Sequence, residues 1–96
     1  MKTFIEIDEA IEKKLTERHN VTRREVEQCF ENKTGRSLLD TREKHATNPP
    51  TQWFLAQTNR RRTLKVVYIL LKGKVKIKSC FEPNEDEKRI YQQYGE

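Results

Sequence analysis

Two histidines, two cysteines and a block of cations are the residues of this 96-residue chain best able to do chemistry. His19 follows Arg18 at the end of a helical stretch, and His45 lies in a loop beside Arg42 and Lys44. Imidazole is the side chain best matched to proton transfer near neutral pH, so both are candidate acid–base groups. The plainer roles are a helix C-cap for His19 and a solvated loop residue for His45. Cys29 and Cys80 each adjoin a phenylalanine, Phe30 and Phe81, as reduced and partly buried thiols would. His19, Cys29, His45 and Cys80 carry the atoms zinc prefers. No two share the short spacing of a zinc motif, so no metal or other cofactor is expected.

The cations are unevenly placed. Twenty Lys and Arg against 15 Asp and Glu leave a net +5, yet from Lys44 to Phe81 there is no acid at all. That stretch holds nine bases: Lys44, Arg60, Arg61, Arg62, Lys65, Lys72, Lys74, Lys76 and Lys78. A polyanion, or an acidic protein, is the partner such a segment implies. Lys74, Lys76 and Lys78 fall on one strand face, and Arg60, Arg61 and Arg62 on the adjoining hairpin. The set suits phosphate contact, although a row of lysines can also simply protect an edge strand from aggregation. Lys65, set among apolar residues, is a candidate cation for a reacting phosphate if its face is open, or else it snorkels to the rim. Tyr91 and Glu87, one turn apart, could offer acid–base or hydrogen-bonding groups to the sheet; the duller roles are packing and helix capping. Trp53, Phe54 and Tyr68 could stack on unpaired bases, but aromatics at strand spacing are more often core.

The elements that position these groups are legible from periodicity and caps. A short strand is expected at residues 4–7. Asp8 can cap a helix whose Ile7, Ile11 and Leu15 recur every four residues, and Asn20 supplies the left-handed residue that ends it. Thr22 and Glu25 form a capping box for a second helix with Val26, Cys29 and Phe30 on its buried stripe, fraying near Asn32. A long connection over 33–51 follows, with Gly35, the Pro49-Pro50 pair and a brief strand or anchor at Leu38-Leu39; loops of that length are more often functional than idle. Strands are expected at 52–58 and 64–71, the second nearly continuous in apolar residues as a central strand is. A tight turn at 72–74 leads into 75–79, where Val75, Ile77 and Ser79 should share one face and Lys76 and Lys78 the other. Asn84 caps a last helix with an acidic first turn, with Ile90 and Tyr94 as its buried face and Gly95 at its end.

The sum is one small α+β domain over 1–96, of order (β)ααβββα, with helices packed on an antiparallel β-meander. Leu, Ile, Val and Phe number 22, near the roughly one-fifth of residues below which chains tend to stay disordered, so the core should be thin. No apolar run approaches the ~18 residues of a membrane span, and the start carries acids where a signal peptide is apolar. A cytoplasmic location, with no membrane partner, is the expectation.

Three stretches give the chain a family likeness. The first is Arg18-His19-Asn20-Val21-Thr22 followed by Glu25-Val26-Glu27-Gln28-Cys29-Phe30. The second is Trp53-Phe54-Leu55-Ala56 with Arg62-Thr63-Leu64-Lys65-Val66-Val67-Tyr68-Ile69. The third is Lys76-Ile77-Lys78-Ser79-Cys80, with Glu87 and Tyr91 four apart. In order and spacing these resemble the BrnT family of ribonuclease toxins, the toxic halves of type II toxin–antitoxin pairs, whose fold is related to RelE-type nucleases. The match is to a basic-residue–His–Gly–Val turn and helix, a strand–turn–central strand, and a strand end of the type Arg-Ile-Ser-Ala-Arg with a closing Glu-x-x-x-Tyr. Asn20 replaces the usual Gly, which Asn can do because it tolerates the same backbone region. Phe81 stands where the family has an Arg. A phosphate-holding task there would pass to Lys78 or to residues 60–62.

The resemblance implies an endoribonuclease that inhibits translation, and an antitoxin protein that covers its active face. Metal-free RNA cleavage needs a base for the 2′-hydroxyl proton, an acid for the leaving 5′-oxygen and cations for the phosphate. His19, Lys65 and Arg62 are the residues expected nearest that chemistry, with Tyr91 and His45 as further candidates. Arg18, Arg60, Arg61, Lys74, Lys76 and Lys78 would hold the RNA backbone. The alternative is a non-catalytic module that binds RNA or an acidic protein on the same cationic face. Metal-dependent hydrolysis of a small nucleotide has little support, because the acids show no clustered ligand pattern.

Overall fold

Residues 5–40 and 49–95 are described by a computed structural model; His45 and Phe4 lie outside them. Their elements run β1 (Ile5–Glu6), α1 (Glu9–His19), α2 (Arg23–Asn32), β2 (Leu38–Leu39), β3 (Thr51–Gln57), β4 (Thr63–Leu71), β5 (Lys74–Phe81) and α3 (Glu85–Tyr94). One sheet of order β1-β5-β4-β3-β2 contains every strand among the described residues. β2 to β5 form an antiparallel meander, and β1 adds to the outer edge of β5 in parallel. The α+β meander expected from the sequence is the fold, with Leu38-Leu39 forming the brief strand.

The helix ends follow their local chemistry. Asn20 takes φ 53° and ψ 44°, the left-handed conformation that stops α1. Asp8 stands at the α1 N-cap with extended backbone but makes no side-chain capping bond. Both halves of the capping box are made at Thr22 and Glu25 for α2, and at Asn84 and Glu87 for α3. At the β4–β5 hairpin Lys72 (φ 53°) and Gly73 (φ 77°) are both left-handed, as a two-residue turn with the twist of its strands requires.

Strand register sorts side chains to two faces. Phe54, Val66 and Cys80 lie side by side across three strands and are fully buried. Leu15, Val21, Val26 and Cys29 from α1, α2 and their junction complete that core, and Phe30 closes it edge-on against Phe54 and Tyr68 at 4.9 and 5.5 Å. The opposite face carries the row Leu55–Lys65–Phe81 and the row Trp53–Val67–Ser79, and α3 packs on it through Tyr91 against Trp53, at 5.7 Å between rings.

Two expectations are corrected here. A β-bulge interrupts the β4–β5 ladder: Ser79 pairs with Val67 and Ile77 with Tyr68, which leaves Lys78 as the extra residue. The bulge resets the alternation, so Ser79 joins the Lys76 face and Cys80 becomes the buried residue. On α3, Ile90 and Tyr94 are exposed, while Tyr91 is buried. Tyr91 donates a 2.8 Å hydrogen bond to the Arg36 carbonyl, and its neighbour one turn earlier, Glu87, pairs with Lys65. These two contacts fix the rotation of the helix and turn Ile90 and Tyr94 to its flank. Gly35 permits the docking, because a Cβ there would stand 2.6 Å from the Tyr91 hydroxyl and 2.5 Å from the Gly95 carbonyl oxygen.

Candidate functional site

Lys65 is the pivot of the site. The alternation of β4 points it away from the α1–α2 core, and α3 then covers it, leaving the residue 5 % exposed. Its ammonium donates to Glu87 Oε2 and lies 4.7 Å from the centre of the Trp53 ring and 5.5 Å from that of Phe81. The other Glu87 oxygen accepts the Asn84 backbone N–H at 3.0 Å, so one carboxylate both caps α3 and holds the lysine. Burying such a pair carries a desolvation penalty of several kcal/mol per ion that the mutual attraction only roughly offsets. The pair is not sealed in. A cleft of about 830 Å³ reaches it, lined also by Leu38, Asp40, Trp53, Ile90 and Tyr94.

His19 meets the same aromatic ring from another element. Its imidazole lies 5.5 Å from Phe81, tilted by 39°, so Phe81 touches both His19 and Lys65. Phe81 thus sets one apolar ring against both the imidazole and the buried cation.

Arg62 is committed elsewhere. It donates to Glu82 from Nε and Nη2, to the His19 carbonyl at 2.9 Å, to the Asn20 carbonyl at 2.7 Å and to Glu25 at 3.1 Å. These bonds use all of its donor directions, and the two carboxylates raise its pKa further against the opposing effect of burial. The guanidinium clamps the end of α1 to the start of β4 and thereby positions His19; phosphate contact would require it to leave four protein groups. Tyr91 is a core side chain at 2 % exposure, with its hydroxyl spent on Arg36.

The cations expected to hold RNA divide into two groups. The 58–62 turn and the Lys72-Gly73 turn cap opposite ends of β4, whose nine residues span roughly 26 Å. Arg60 and Arg61 are exposed at one end, and Lys74 at the other with the half-buried Lys76 following it. Lys78 sits between them on the bulge, and Arg18 is exposed on α1. None of these six forms an ion pair among the described residues. Lys76 has Glu6 as its register partner on β1. His45 lies outside the described residues.

Among the described residues no three His, Cys, Asp or Glu side chains converge as metal ligands. Cys29 and Cys80 are free, fully buried thiols, and desolvation pushes both pKa values up, that of Cys29 to about 12.

No protein-family model matches the chain, and no curated protein does.

Sequence reasoning placed Lys65 at the site but weighed Glu87 chiefly as a cap and Trp53 chiefly as core. The capping box located one Glu87 oxygen. Nothing in the spacing of Lys65 and Glu87 signals the bond made by the other, because it depends on how α3 crosses the sheet.

Proposed function

We propose that the chain is an endoribonuclease of the BrnT-like toxin type, cleaving RNA without a metal and inhibiting translation as a consequence. The observation that carries the reading is the Lys65–Glu87 pair, desolvated yet reached by a cleft. A small core that retains a costly ion pair at an accessible point has the character of a functional site rather than of a stabilising device. In this reading the Glu87 carboxylate takes the 2′-hydroxyl proton as the 2′-oxygen attacks phosphorus. The Lys65 ammonium faces the charge that develops on the phosphate oxygens. As the bond from phosphorus to the 5′-oxygen breaks, the leaving oxygen takes its proton from His19. The products are a 2′,3′-cyclic phosphate and a 5′-hydroxyl. Arg62 acts as a positioning residue through its hold on His19, and the exposed cations at both ends of β4 hold the backbone. The cytoplasm is the compartment, and an antitoxin protein covering the cleft is the expected partner.

The test is incubation of the purified protein with labelled mixed-sequence RNA, with and without EDTA, beside Lys65→Met, Glu87→Gln and His19→Ala. Gln retains the capping-box geometry, so the Glu87 variant removes the base without removing the cap. Cleavage that survives EDTA and falls by about 100-fold or more in the variants supports the reading. Cleavage that the variants share removes this site from it.

One observation favours a second reading, a non-catalytic RNA-binding module. The two cations expected nearest the chemistry, Lys65 and Arg62, are both neutralised by carboxylates of the chain itself. Strongly salt-dependent RNA binding with no cleavage would select it.

A further inference from the structure

A second cavity, of about 610 Å³, opens where α3 passes the β3–β4 hairpin. Its size is ordinary for a small-ligand site, roughly 300–1,000 Å³. Leu55 of β3 lines it, and because Leu55 is the register partner of Lys65, the cavity abuts the row that holds the buried ion pair.

The rest of the lining is chemically unlike the Lys65 cleft. Asn32, Gln57, Thr63 and Gln92 bring amides and hydroxyls, and Lys88 is the one charged side chain among the described residues that line it. Asn32 gives its amide hydrogens to the Gln57 carbonyl and to Asn59, each at 2.9 Å, and its own oxygen has no hydrogen-bond partner among the described residues. The side chains of Gln57, Thr63 and Gln92 form no hydrogen bond among the described residues. Uncharged donors and acceptors side by side are what the edge of a nucleobase requires, whereas a phosphate alone would select cations.

Cations are nevertheless at hand. Arg60 and Arg61, exposed and without an ion pair among the described residues, sit on the turn that follows Gln57. That turn is held in place: the Asn59 N–H donates to Gln28 of α2 at 3.0 Å, and Thr58 Oγ1 accepts the N–H groups of Arg60 and Arg62 at 3.3 and 3.2 Å. A mainly uncharged hydrogen-bonding cavity, with Lys88 on its wall paired to Glu85 at 3.4 Å, thus lies beside a cationic turn whose backbone is held, the pairing a nucleotide presents in reverse.

We infer that this cavity is a nucleobase subsite, taking one unpaired RNA base with its phosphate on Lys88 and the Arg60–Arg61 turn. The inference rests on the RNA reading above and states where a base would be read.

Titration of the ¹⁵N-labelled full chain with each of the four ribonucleoside 3′-monophosphates tests it, with inorganic phosphate as the control. At least one nucleotide should shift the backbone amides of Gln57, Thr63 and Gln92, and inorganic phosphate should not. The Gln57→Leu/Gln92→Leu variant should bind that nucleotide about tenfold more weakly or worse, with the spectrum elsewhere unchanged. Nucleotides that move the same amides as inorganic phosphate, around Arg60, Arg61 and Lys88 only, would overturn the subsite. Shifts gathered at Trp53 and Ile90 would overturn it too, because they place the base in the Lys65 cleft. RNA cleavage measured on the same sample separates the two ideas. Cleavage with no nucleotide-specific shift at this cavity sinks the subsite and leaves the ribonuclease. Base-selective shifts here in a protein that cleaves no RNA sink the ribonuclease and support the subsite.

Discussion

Lys65 and Glu87 are coupled by burial, and the coupling can be measured apart from any activity. Lys65→Met leaves a carboxylate facing apolar surface, and Glu87→Gln leaves a buried ammonium without its counter-charge. Each single change is expected to cost about 2–4 kcal/mol, and the double variant less than the sum, since no uncompensated charge then remains. A double-mutant cycle from urea unfolding reads this directly; additive losses would mean that the pair does not interact. Arg62→Ala should cost about 2–3 kcal/mol, because two carboxylates and two helix-end carbonyls lose their shared donor. The urea midpoint should fall accordingly, whereas Arg60→Ala on the same turn, with no such partners, should leave it within about 0.5 kcal/mol.

At the scale of elements, α3 is where capping and chemistry share a residue. Asn84→Ala removes the side-chain bond to the Glu87 N–H and should cost about 1 kcal/mol without breaking the Lys65–Glu87 pair. Its thermal midpoint should therefore drop while RNA cleavage at a temperature where it is folded stays near that of the parent. A cleavage loss as large as that of Glu87→Gln would show that the reaction needs the cap as well as the carboxylate at Lys65. The capping boxes of α2 and α3 and the left-handed end of α1 at Asn20 were readable because each is set by residues close in the chain, whereas the cap expected of Asp8 is not made. The Lys78 bulge was not: alternation of Val75, Ile77 and Ser79 is self-consistent in the sequence, and only pairing against β4 reveals the extra residue. The buried face of α3 failed for a related reason. Ile90 and Tyr94 are as well spaced as Glu87 and Tyr91, and the choice between the two stripes is made by partners on β3, β4 and the segment around Gly35.

For the whole molecule, the buried thiols give a pH dependence with a definite sign. Cys29 titrates near 12 in the fold, and an unfolded thiol titrates near its ordinary value of 9.0, so between those limits the unfolded state binds fewer protons. The stabilisation is complete below about pH 9 and is lost as pH rises toward 12, at up to about 1.4 kcal/mol per pH unit for each thiol. Urea midpoints taken from pH 7 to 11 should fall less steeply for Cys29→Ala/Cys80→Ala than for the parent; equal slopes would refute the effect. The division of the cations also has a bulk consequence. If RNA spans both ends of β4, removing Arg60 and Arg61 and removing Lys74 and Lys76 should each lower the salt dependence of binding by nearly two phosphate contacts. A change confined to one pair would restrict the RNA to that end.

Local interactions determined much of this protein from the sequence alone. The element order, the helix caps, the left-handed Asn20, the hairpin at Gly73 and the core strand β4 all depend on residues a few positions apart, and the acid-free segment is visible by inspection. Tertiary structure alone decided the fate of the charges. Arg62 could be read as a free cation until the end of α1 and Glu82 were brought to it, and Lys65 until α3 was laid across its face. The physical reason is that a charge acquires its role from what neutralises or desolvates it, and those groups lie 20 or more positions away along the chain.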